Sequence, residues 1–429
     1  MRARRSVPIA LAGGVALSLV ATQPAAAAIA VWTSPTDSNW STAAWAGTAP
    51  TTGDDVLFGG GPRSTYDLGD MSFSSLVFEA DHEIANGGGA ITLTSGVGLW
   101  VQDGVSARIE PLLTADADQV WWVSPGAELE LPSTARTNGV DKLTLFVQGT
   151  MTVLPSGNLD ALGTGCIVKT GSGTLHLQGG GGGVGVCEGY QGLSIYDGEV
   201  AIDGSPNLGG KDFFLVDGRF TGGTPAAAAV VRSLDVIGGI VHPGPNGGAD
   251  IGHIDLWGAS EWFGGLYQVD WDATTDNADL IRGVNQPIEV SSTRLDVRLA
   301  GTPTAGETIR ILGSNVSFTG GFAAPDGTDL ADGDEFTSNG QVYSISYTTS
   351  GAQSGVELTW LREAASPSPS PSVEPSVGPS AQPTGGVASE IADTGADDAA
   401  PLTALAVVAV GTGVALVVLG SRRRPARIR

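Results

Sequence analysis

Two acidic clusters are the first place to look for chemistry. Asp270, Asp272, Asp276 and Asp279 fall within ten residues, and Asp326, Asp329, Asp332, Asp334 and Glu335 form a second group. Calcium needs several carboxylate and carbonyl oxygens converging on one point. Neither cluster has the EF-hand spacing or the repeated Gly-Gly-x-Gly-x-Asp nonapeptide. Asx turns at Gly-rich bends account for the same aspartates without an ion, so no metal ligand and no cofactor is assigned.

Other catalytic sets are sparse. His82, His176, His242 and His253 are scattered, and none stands at ligand spacing from a cysteine. The chain has no Gly-x-Ser-x-Gly elbow, no His-Glu-x-x-His and no phosphate loop. Paired carboxylates can do acid–base work on sugars, but nothing marks such a pair. The expectation is a protein without catalytic activity of its own. Ten tryptophans offer flat faces on which sugar rings could stack. Trp257, Trp262 and Trp271 lie close in sequence, and Trp121 and Trp122 are adjacent. Core packing is the competing use, and in a regular strand the adjacent pair must face opposite ways.

Cys166 and Cys187 are the two cysteines of the chain. In an oxidising compartment they read as a disulfide, which in the chain-entropy model adds roughly 3 kcal/mol. Between Ile29 and Thr394 there are 13 Lys and Arg against 43 Asp and Glu, a formal net charge of −30. Nucleic-acid binding needs a basic face, so it is excluded.

The elements that must hold these residues are strands. Between Ile29 and Leu361 helical periodicity is nearly absent. Short alternating segments recur instead, such as 90–94, 142–146, 151–154, 173–177 and 199–202. Each is bounded by Gly, Asn, Asp or Ser, and period-two alternation puts one set of side chains inward. The chain is therefore all-β, and inexact local repetition favours a solenoid over a sandwich or propeller. Residues 364–390 are Pro/Ser-rich and suit an extended, disordered wall-spanning linker.

The ends define the compartment. A cationic start (Arg2, Arg4, Arg5), an apolar run from Val7 to Val20 and small residues to Ala28 form a secretory signal peptide over residues 1–28. Residues 402–420 are apolar and long enough for one transmembrane helix. The arginine-rich tail 421–429 then lies on the cytoplasmic side by the positive-inside rule, leaving 29–363 as an extracellular ectodomain.

Two resemblances add to this reading. Ile391, Ala392, Asp393, Thr394 and Gly395, followed by the apolar span and the arginine tail, resemble a Gram-positive LPxTG-like cell-wall sorting signal over 391–429. That resemblance implies a sortase that attacks the Thr394 carbonyl and passes it to an amine of the peptidoglycan precursor. Gly395 would leave with the membrane span. Ile391 and Ala392 depart from the usual Leu-Pro. The segments 167–179 and 190–203 resemble the autotransporter-associated β-strand repeat, clearest over 167–209, in the wording Lys-x-Gly-x-Gly-Thr-Leu-x-Leu-x-Gly. Glu199-Val200 stands where Thr-Leu is usual. This second resemblance implies a right-handed parallel β-helix. The combined expectation is a wall-anchored structural or adhesive surface protein whose partners include a glycan or other cell-surface ligand. A surface carbohydrate-binding or polysaccharide-degrading β-helix enzyme is the alternative.

Overall fold

The fold is a parallel β-solenoid, seen in a computed structural model. The structure describes residues 28–365 except 44, 139–141, 162–164, 180–185, 188–189, 203–206, 245–250, 350 and 352–353. The chain divides into a compact unit up to Ser366 and a second unit from Pro367. The signal peptide to Ala27, most of the linker, the sorting motif Ile391–Gly395, the apolar span and the arginine tail lie outside the described residues. Among the described residues there is no helix, and so none long and apolar enough to cross a membrane.

Three strand ladders run along the coil. The first passes through Asp55–Phe58, Ser75–Phe78, Val97–Val101, Gln119–Val123, Lys142–Val147, Cys166–Thr170, Leu193–Ile195, Asn207–Leu215 and Ala229–Val236, each strand parallel to the next. The second runs from Arg63–Tyr66 through His82–Asn86, Ser106–Ile109, Glu128–Leu131, Thr150–Val153 and Thr174–Leu177 to Glu199–Ile202, Arg219–Gly222, Ile240–Pro243 and Leu266–Asp272. A third ladder, from Met71–Phe73 to Asn158–Ala161, closes the early coils among the described residues. The parallel winding continues past residue 230: Ala229–Val236 hands on to both His253–Leu256 and Ser260–Trp262. It reaches Phe318–Ala323 through the long strand Ile288–Ala300.

Alternation in sequence becomes stacking in space. Leu76, Leu99, Trp121, Leu145, Lys169, Ile195, Leu215, Val236 and Trp262 stand in register up the first ladder. All of them are buried. Each coil therefore covers the apolar face of the last, which no single coil could do alone.

A solenoid leaves open edges at both ends, and unpaired strand edges invite association. The start is plugged by aromatic rings: Trp32 packs edge-on against Trp45 at 5.0 Å, Trp40 against Tyr66 at 5.0 Å, and Phe58 stacks on Phe78 at 4.8 Å. The far end switches to antiparallel pairing among Thr308–Ser314, Glu335–Ser338, Gln341–Thr348 and Ser354–Glu363.

Candidate functional sites along the coil

The acidic clusters do not behave as units. Asp272 takes the Thr274 backbone N–H at 2.9 Å and the Thr275 hydroxyl at 2.8 Å, an Asx-type turn, and the hydrogen bonds from Thr274 hold its carboxyl below the usual range. Asp326 does the same with the N–H of Thr328. Asp332 accepts from Tyr347, Asp334 from Ala331, and Glu335 pairs with Arg362 at 2.9 Å. The turn reading describes Asp272 and Asp326, while Asp332, Asp334 and Glu335 each serve a separate donor elsewhere. Asp270 and Asp279 instead go inside.

There they meet His242. The ring accepts from Arg219 at Nδ1 (3.2 Å), because a guanidinium can only donate. Nε2 then carries the hydrogen and gives it to Asp270 Oδ2 at 3.0 Å, with Asp279 Oδ2 3.7 Å away. Asp279 is held by the backbone N–H groups of Gly252 (2.7 Å) and Asp270 (2.9 Å). Burial pushes its carboxyl up to about 8. Arg219 also donates to Gln268, which donates to Asp296, so the polar network climbs several coils. Sequence reasoning missed this cluster because His242 lies one coil upstream of Asp270. No sequence signal marks it, because the register that sets Val241 beside Tyr267, and so brings His242 to Asp270, is fixed only by the fold.

Trp121 and Trp122 do face opposite ways. Trp121 is fully buried and Trp122 is 40 % exposed. Outward, Trp122 stands in register with Trp100 below and Phe146 above. The rings touch in sequence, with centroids 6.3 Å and 5.0 Å apart. Val77 and Leu57 extend the row downward and Thr170 ends it. Trp100 Nε1 donates to Ser124 Oγ at 3.1 Å, which fixes its rotamer. Of the other tryptophans, Trp257 is exposed while Trp262 and Trp271 are core.

The second ladder carries charge instead. Arg63, Glu83, Arg108 and Glu130 alternate in sign on successive coils. Arg63 meets Glu83 at 3.3 Å and Arg108 meets Glu130 at 2.8 Å. Glu83, Arg108 and Glu130 line a shallow cleft of about 350 Å³ with Asp81 and Glu128. Its acids already have partners: Glu83 and Glu130 the arginines, Asp81 the N–H of Ser106.

His82 sits inward at the first end. Its Nδ1–H donates to the Gly61 carbonyl at 2.7 Å, and Nε2 accepts from Ser64 at 2.8 Å, since Ser64 itself receives the Trp40 Nε1–H. The ring is neutral, and burial lowers its pKa to about 4. His176 lies on the half-buried outward side of its strand and His253 is half-buried. Cys166 is disulfide-bonded; the side chain of Cys187, its expected partner, lies outside the described residues.

No family model matches this chain, and no curated protein matches it. The two resemblances therefore rest on the residues that carry them.

Proposed function

We propose that this chain is a cell-surface protein, a right-handed parallel β-helix displayed on the bacterial wall, whose role is adhesive or structural. The observation that carries the adhesive reading is the outward row Trp100, Trp122 and Phe146, aromatic side chains stacked on consecutive coils of a register-locked face. A rigid sheet spends little entropy in presenting them, and exposed apolar rows of this kind serve as contact surfaces. A glycan whose sugar faces lie along the coil axis fits flat aromatic rings in series.

Export would follow from residues 1–28, and the linker would carry the coil outward. Anchoring would follow from cleavage between Thr394 and Gly395 by a sortase, the membrane span acting only before that step. Binding of the protein to a panel of wall and host glycans tests the adhesive role, with loss on Trp122→Ala as the expected result. A wild-type protein that binds nothing on the panel leaves a structural coat. Mass spectrometry of wall digests should find Thr394 linked to peptidoglycan, and a mature protein retaining Arg429 would reduce the anchor to a membrane helix.

The second reading, a polysaccharide-degrading enzyme, draws on the acid-lined cleft around Glu83 and Glu130. Release of new reducing ends from a glycan would promote it.

A further inference from the structure

Three buried groups from separate stretches of chain converge beneath the outer face of the second ladder. His242 comes from Ile240–Pro243, Asp270 from Leu266–Asp272, and Asp279 from just beyond the return strand Asn277–Ala278. All three are almost wholly buried. One ligand atom from each lies within 4.8 Å of the others. His242 Nε2 is 3.0 Å from Asp270 Oδ2 and 3.7 Å from Asp279 Oδ2. Ligands bound to tetrahedral zinc at about 2.0–2.1 Å stand roughly 3.3 Å from one another, between those two separations.

A second observation is independent of the clustering. Asp270 Oδ1 is buried and has no hydrogen-bond partner. A carboxylate oxygen removed from water without a donor is costly, and such an atom in a native site calls for an explanation. A cation supplies it.

We propose that His242 Nε2, Asp270 and Asp279 bind one divalent transition-metal ion of mixed nitrogen and oxygen preference, of the Zn²⁺ class, with Asp270 Oδ1 as a further oxygen ligand. Entry of the ion displaces the hydrogen that His242 Nε2 shares with Asp270, since a metal ligand must offer a lone pair. The proton of the neutral ring then belongs on Nδ1. Arg219 gives up its contact there and keeps the one to Gln268 Oε1. The backbone N–H groups of Gly252 and Asp270 hold the Asp279 carboxylate in place, which is the outer support a metal site requires. The ion would tie two successive coils and the return strand together where the first ladder divides.

The test uses the full chain purified in detergent, stripped with a chelator and then given Zn²⁺ as the probe. It should retain one equivalent after desalting and melt at a higher temperature than the stripped chain, because an ion that binds only the folded state stabilises it. Asp270→Asn preserves the acceptor for His242 and places an amide where Oδ1 stands, so it should fold yet lose both the ion and the shift. Asp279→Asn should lose them too. X-ray absorption of the zinc-loaded wild type reads the ligand shell without any variant, and should show one imidazole with oxygen ligands near 2.0–2.2 Å. A wild type that retains no zinc and shows no melting shift overturns the proposal. So does equal retention by both variants, or a shell lacking imidazole.

Discussion

The ammonium of Lys169 reaches one coil onward to the backbone carbonyl of Asp197, 2.9 Å away. Lys169 occupies the inward stack where Leu145 precedes it and Ile195 follows. Its other two donors meet the carbonyls of Gly171 and Gly173, the latter at 2.7 Å. Three donors find three acceptors, which is how a charge can lie in an apolar column. Burial pulls the amine down to about 8, which still leaves it protonated at neutral pH. Lys169, Gly171 and Gly173 have the Lys-x-Gly-x-Gly spacing noted in the sequence, and together they form one device at the corner of the coil. Gly198 completes it: φ is +69°, and a Cβ there would strike Lys169 Nζ and the Gly171 carbonyl.

Lys169→Met matches the column in polarity but strips three carbonyls of a donor. It should destabilise the coil by about 1–3 kcal/mol, the cost of leaving buried acceptors unsatisfied. Urea unfolding monitored by circular dichroism measures it. A variant as stable as wild type would mean that the ammonium contributes nothing beyond what a hydrophobic side chain supplies.

His82 makes the aromatic end acid-sensitive. Its pKa falls from 6.5 unfolded to about 4 folded, so the native state favours the neutral ring. That contribution is complete above pH 6.5 and is lost as pH falls through 4, on the order of 3 kcal/mol in total. Melting temperature should therefore drop across that window in wild type. His82→Gln, which cannot titrate, should show a flatter acid limb; parallel curves would place the sensitivity elsewhere.

Trp121 and Trp122 should separate core from surface. Trp121→Ala opens the inward column and should cost about 3–5 kcal/mol. Trp122→Ala loses two exposed ring contacts and should cost about 0.5–1.5 kcal/mol. Thermal melts of the two variants decide the matter, with comparable losses counting against the assignment of faces.

Arg108→Glu would set Glu83, residue 108 and Glu130 as three like charges in register. Pairs this exposed are worth little individually, but direct repulsion across parallel coils should cost about 1 kcal/mol. The loss should shrink in high salt, because exposed charges are screened. A deficit unchanged by salt would point to lost packing of the arginine stem.

The coil could be foreseen from particular residues, whereas its continuation past residue 230 is a finding of the structure. Asp197-Gly198 divides two strands in the phrase recognised from sequence, and Asp217-Gly218 divides the next two in the same way. Gly239 and Gly265 keep the same positive φ at the same corner further on. Variable coil length hid that period, because the spacing from Gly198 to Gly218, Gly239 and Gly265 is uneven while the strands stay in register. The opposed faces of Trp121 and Trp122 were equally legible, since strand alternation is a local property of the backbone.

What lies beside what was not local. Sequence alone determined that the chain is all-β, strongly acidic, turn-rich, and free of recognised catalytic motifs. Only the tertiary structure decided that Trp100, Trp122 and Phe146 form one row, that Arg63 to Glu130 form another, and that Asp270 and Asp279 leave their cluster to join His242. The reason is physical: neighbours across a solenoid are fixed by the register between coils. Register depends on the length of every intervening turn, which alternation within a strand does not encode.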